Sequence, residues 1–176
     1  MGRQLFQDGP YIDAPVANLA TLSSTSIEDI WAGITWTPIF ANDAKAGKIY
    51  CVRAGGTISL TGGTMIITPQ WGPAGTTLGV SLTSGTVTVA INAFYLAFDL
   101  VFRVIGAAGA NSTCIGTGFA HLGSGVGSGT GTGNTITFGG TSASVDSTIN
   151  GNVTIRKTAS TTNSMIPQFV YIFSRN

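Results

Sequence analysis

The sequence predicts an all-β fold, an antiparallel β-sandwich of jelly-roll type with an extended N-terminal arm. From Ile34 onward, apolar and polar residues alternate with a period of two in short runs. Gly, Ser and Thr turn signals recur between them at the roughly 8–12-residue spacing of sandwiches and jelly rolls. The 45 residues between Arg53 and Asp99 contain no Asp, Glu, Lys or Arg, yet they are rich in Thr, Ser and Gly rather than unbroken Leu and Ile. Such a stretch makes short strands whose outward faces are neutral.

The chain of 176 residues is of single-domain size and long enough to bury roughly 70% of the surface its unfolded form exposes. Its 25 Gly and 6 Pro do not signal disorder, because 43% of the residues are hydrophobic and 9% aromatic, whereas disorder pairs low hydrophobicity with high charge. Only 9% of the residues are charged and the formal net charge is +1, against about a quarter charged in an ordinary soluble domain. A surface so poor in charge suits assembly with neighbours.

Residues 1–18 follow neither regular period and carry isolated apolar side chains, among them Leu5, Phe6, Tyr11 and Ile12, so they read as an arm ordered by a partner. The sandwich is expected over residues 19–176. Thr25 and Glu28 have capping-box spacing, but Gly33 ends the helical pattern, which allows one short turn. Residues 47–53 alternate as a strand that Gly55 and Gly56 break. Runs 57–60 and 64–71 flank Gly62 and Gly63 as a tight hairpin, and runs 76–82 and 86–92 flank a three-residue turn at Thr83, Ser84 and Gly85.

Residues 93–105 give the strongest strand, with Phe94, Leu96, Phe98, Leu100 and Phe102 on the core face and Tyr95, Ala97, Asp99, Val101 and Arg103 on the other. Asp99 and Arg103 lie about 13 Å apart along an extended chain, so each is expected to meet a charge across strands or across a subunit boundary. Runs 112–121, 134–138, 142–145, 152–157 and 168–174 complete the set. The last carries Phe169, Tyr171 and Phe173 on one face and Val170 and Ile172 on the other, so both faces want cover.

Several function classes find no support. The eight basic residues are scattered, with no cluster for nucleic acid. The most apolar stretch, 93–108, is interrupted by Asp99 and Arg103 and is too short to span a membrane as a helix. The first ten residues lack the apolar core of a secretory signal. Cys51 and Cys114 read as free buried thiols. The glycine-alternating run 123–133 fits neither phosphate-binding pattern and reads as a loop or hairpin tip. His121 is the single histidine and has no nucleophile at a recognisable spacing. No metal set, cofactor motif or carboxylate pair emerges, so no enzymatic activity is expected. Trp31, Trp36 and Trp71, with Tyr11, Tyr50 and Tyr95, would serve either a sugar platform or, more in keeping with a sandwich, core and interface.

The phrases Trp36-Thr37-Pro38-Ile39-Phe40-Ala41-Asn42-Asp43, Ala46-Gly47-Lys48-Ile49-Tyr50 and Gly55-Gly56-Thr57 precede the T-L-G-V-S and F-Y-L-A-F-D-L-V-F-R strands. Together they resemble small jelly-roll virion proteins of tailed bacteriophages, of head decoration or minor tail type, with a tumour-necrosis-factor-like sandwich. The resemblance covers most of residues 20–176. It implies a non-enzymatic structural protein of the virion, assembled in the host cytoplasm as a homotrimer and bound to the major capsid protein or other virion proteins. Leu5, Phe6, Tyr11 and Ile12 are the expected capsid-binding arm residues, and Arg53, Asp99, Arg103, Tyr171 and Phe173 the expected subunit interface. A minor tail or baseplate component, or a carbohydrate-binding module for a host-surface glycan, is the alternative.

Overall fold

A computed structural model describes residues 7–12, 19–30, 39–60, 63–72, 76–77, 82–83, 91–106, 112–123, 133–138, 142–161 and 163–175. Twelve strands follow in chain order: β1 Gln7–Ile12, β2 Glu28–Asp29, β3 Ile49–Leu60, β4 Met65–Gly72, β5 Thr76–Thr77, β6 Leu82–Thr83, β7 Ile91–Val104, β8 Ser112–Gly123, β9 Gly133–Phe138, β10 Ser142–Val145, β11 Asn152–Ala159 and β12 Ser164–Arg175. The larger sheet has the order β1-β12-β3-β7-β8-β10 with β9 also on β8, and the smaller has β2-β11-β4-β5 with β6 also on β4.

Four antiparallel pairs nest inside one another: β1 with β12, β2 with β11, β3 with β7, and β4 with β5. Successive pairs alternate between the sheets, as when one long hairpin is rolled up, which is the jelly roll. β8, β9 and β10 widen the larger sheet beyond β7. The fold is therefore the all-β sandwich that the alternation predicts.

The core lies between the sheets because each strand turns alternate side chains inward. Phe94, Leu96, Phe98, Leu100 and Phe102 of β7 are all buried, as predicted. They join Tyr50, Val52 and Ala54 from β3 and Met65, Ile67 and Trp71 from β4 in one cluster. Tyr50, Trp71 and Phe102 meet edge to face at centroid distances of 5.6–6.4 Å, so this triangle bridges the two sheets.

Four local expectations are corrected. β3 runs unbroken through Gly55 and Gly56, which face the bulge where Pro167 and Phe169 of β12 shift register. The expected hairpin at Gly62 and Gly63 does not form, since β3 and β4 belong to different sheets; Gly62 itself lies outside the described residues. The capping-box spacing builds no helical turn: β2 pairs with Arg156 and Lys157, and the Glu28 carboxylate accepts the Ser24 N–H. Thr83 sits in β6 rather than in a turn, and residues 84–90, with most of the expected 86–92 run, fall outside the described residues.

Part of the expected arm is a strand. Gln7 and Asp8 pair with Arg175 and Ser174, and Ile12 with Ile172. Leu5 and Phe6 lie outside the described residues.

Candidate interaction surface

The pleat that fills the core with one set of side chains turns the other set of the larger sheet outward, and register fixes which of these meet. Tyr171 stands opposite Arg53, Arg53 opposite Ala97, and Ala97 opposite Phe119. One row along, Phe169 faces Gly55, Gly55 faces Tyr95, and Tyr95 faces His121. Four aromatic rings thus form a continuous band: Tyr171 to Phe169 at 5.7 Å, Phe169 to Tyr95 at 6.3 Å, and Tyr95 to Phe119 at 6.0 Å between centroids. Gly55 makes the band continuous, because a Cβ there would meet the Phe169 ring at 2.6 Å.

Tyr95, Phe119 and Tyr171 remain exposed, and Phe169 and Phe173 are half-buried. Ile49, Val101 and Ile115 continue the apolar surface on the same side. A polar outer face is the usual partner of a buried inner one in an antiparallel sheet. Here the outer face carries a broad apolar area too, beside a small group of charges.

The charges on this face close on one another. Asp99 Oδ1 accepts a hydrogen bond from Arg53 Nη1 at 2.7 Å, and Oδ2 lies 3.4 Å from Arg175 Nη2. Arg53 Nη1 also donates to the Val52 and Phe98 carbonyls. Arg175 Nε donates to Cys51 Sγ at 3.2 Å. Burial pushes the Cys51 thiol up, opposed by that hydrogen bond. A shallow hollow of about 200 Å³ opens beside the ion pair, lined by Arg53, Ala97, Asp99, Thr117, Gly118 and Phe119.

No family model, curated protein or solved structure matches the chain. The functional reading therefore stands on this geometry and on the phrases that carry the resemblance.

Of the expected interface residues, Arg53, Asp99, Tyr171 and Phe173 lie together on this face. Asp99 does find its charge across strands, while Arg103 lies four residues further along β7, exposed and with no ion pair among the described residues. Phe119 and Arg175 went unnoticed in the sequence. Phe119 alternates outward within β8, but its place beside Tyr95 depends on β7–β8 register. Trp71 and Tyr50 are core residues, which removes them from any sugar platform. Trp31 and Trp36 lie outside the described residues. Cys51 and Cys114 are buried thiols, as predicted. Among the described residues no three His, Cys, Asp or Glu side chains converge as a metal site requires.

The resemblance phrase around Asp43 is a structural loop. The Asp43 carboxylate accepts hydrogen bonds from Lys48 Nζ at 2.8 Å and Tyr50 Oη at 2.9 Å. Asn42 turns the chain at φ 62°, a conformation that Asn adopts more readily than most residues.

Proposed function

We propose that the protein is a non-enzymatic structural protein of a tailed-phage virion, a head decoration protein that trimerises through the outer face of its larger sheet. The observation that carries this reading is the aromatic band of Tyr171, Phe169, Tyr95 and Phe119 on a sheet whose inner face is already buried. Six strands spaced about 4.8 Å apart make a face roughly 25 Å wide. Over a similar length it offers roughly 600 Å², near the roughly 800 Å² that each partner gives to a standard interface. Asp99 engages both arginines, so the charges on this face are not left unpaired when a neighbour covers it, although removing them from water still carries a cost. Binding only to the assembled head, such a trimer stabilises the shell by mass action.

Light scattering on the purified protein should give three times the 18.0 kDa chain mass. The pair Tyr95→Ser and Phe119→Ser should give a folded monomer; a trimer that survives it overturns the interface. Electron microscopy of the particle tests the location, and density on tail or baseplate instead of head would move the protein there. The hollow beside Phe119 favours one second reading, a carbohydrate-binding module for host attachment. Glycan binding by the purified chain, lost in Phe119→Ala without loss of fold, would decide for it and against the interface.

A further inference from the structure

Four large apolar side chains stand exposed in a second place, at one end of the sandwich: Phe40 at 58%, Val104 at 57%, Ile149 at 45% and Ile105 at 38%. They sit on separate loops and strand ends that hydrogen bonds tie into one plate. Ile39 and Gly151 exchange backbone bonds at 2.9 Å, Ala41 N–H donates to Asn150 Oδ1 at 2.9 Å, and Asn42 N–H donates to the Ser147 carbonyl at 2.8 Å. The Ser147 and Ser112 hydroxyls are bonded at 2.7 Å, and Ser112 Oγ accepts the Gly106 N–H beside Ile105. A surface held in this way is preorganised, which lowers the ordering cost of binding.

Register tells which end this is. Gln7 pairs with Arg175, Arg175 with Ile49, and Ile49 with Val101. Gln7, the first described residue, therefore lies at the same end of the larger sheet as the plate. Gly123 and Gly133, which β8 and β9 pair, stand at the opposite end. At the rim of the plate, Lys45 and Arg103 are exposed and carry no ion pair among the described residues. Asp43 is engaged by Lys48, and Asp146 accepts hydrogen bonds from the Thr148 hydroxyl and N–H.

We infer that this end plate is the docking surface for the protein lattice of the head, meeting a patch that is apolar at its centre and acidic at its rim. The sandwich then stands on the particle with the end of β8 and β9 that holds Gly123 and Gly133 outward. This rests on the reading of the chain as a head-binding protein.

Heads assembled without the chain, mixed with purified protein and sedimented, test both statements separately. The wild type should co-sediment, and its binding should weaken as salt rises. Phe40→Ser with Val104→Ser, both at exposed positions, should keep the wild-type oligomer mass and lose at least tenfold in affinity. Arg103→Glu should weaken binding as well, while Ile27→Ser, exposed but not in this plate, should not. Undiminished binding of the double variant overturns the docking surface alone. A change in its oligomer mass overturns it too, by making the plate a contact between copies. Failure of the wild type to bind heads overturns the decoration reading and the docking surface with it.

Discussion

Lys157 is fully buried and its ammonium has one acceptor for each of its three protons: Glu28 Oε2 at 2.8 Å, the Ser24 carbonyl at 2.8 Å and Asn163 Oδ1 at 2.9 Å. Burying an ammonium is costly unless its charge and donors are met, so Glu28 is the residue on which this corner depends. Burial by itself would raise the Glu28 carboxyl. The hydrogen bond and charge of Lys157, with the Ser24 and Ser23 N–H groups, outweigh burial and hold it below its ordinary 4.5. A depressed carboxyl contributes stability that is whole above its unfolded value and lost as pH falls through the folded one. Urea unfolding of the wild type should therefore weaken below about pH 4.5. Glu28→Gln should lose about 2–3 kcal/mol at pH 7, leaving a buried cation with neutral acceptors, and its acid-side slope should be shallower. A variant with wild-type stability at pH 7 would remove this role. Cys114 gives a second expectation. Burial pushes its thiol up to about 12, and thiolate is the reactive form. At pH 8 a thiol reagent should leave both cysteines unmodified in the native protein and titrate both in urea.

At the scale of elements, the bulge of β12 shows why strands were legible and their partners were not. Alternation in β7 identified its buried face residue by residue, because side-chain period is a property of one strand. Gly55 and Gly56 looked like a break because nothing in β3 itself reveals what crosses it. In the fold, Pro167 lacks an N–H and sits at the bulge opposite Gly56. A Cβ on Gly56 would run into the Ile166 carbonyl oxygen and lie 2.8 Å from the Gln168 nitrogen, both rigid backbone. Gly56→Ala should therefore cost about 2–3 kcal/mol, as overpacking does. Gly47→Ala, with open space but a φ of 85°, should cost about 1 kcal/mol through backbone strain alone. A thermal melt of the two variants checks the order. Gly62 and Gly63 misled for the same reason, since a hairpin and a crossing between sheets use similar turn residues. The aromatic band was legible in part: alternation sets Tyr95 opposite the core face of β7 and gathers Phe169 and Tyr171 on one face of β12, but which face of β12 looks outward, and the place of Phe119 beside Tyr95, depend on pairing.

At the scale of the whole molecule, the N-terminal segment has two parts with different work. β1 covers the outer edge of β12, and Leu19 and Leu22 continue along that edge with backbone bonds to Pro167 and Met165. An uncovered strand of twelve residues, with Phe169, Tyr171 and Phe173 on one face, is a template for edge-to-edge aggregation. Removing residues 2–18 as a test of the arm would confound lost binding with a bared sheet. Residues 2–6 can be removed without touching any described pair of the larger sheet. Deletion of 2–6 should leave the unfolding midpoint and the oligomer mass unchanged and weaken attachment to heads, since the apolar side chains of Leu5 and Phe6 go with it. Deletion of 2–12 should instead lower the melting temperature and produce concentration-dependent aggregates, because the β12 edge is exposed. Circular dichroism and light scattering at two concentrations separate these outcomes. If the longer deletion stays soluble and as stable as the shorter, β1 contributes nothing to the sheet, and the whole of residues 1–18 belongs to the arm.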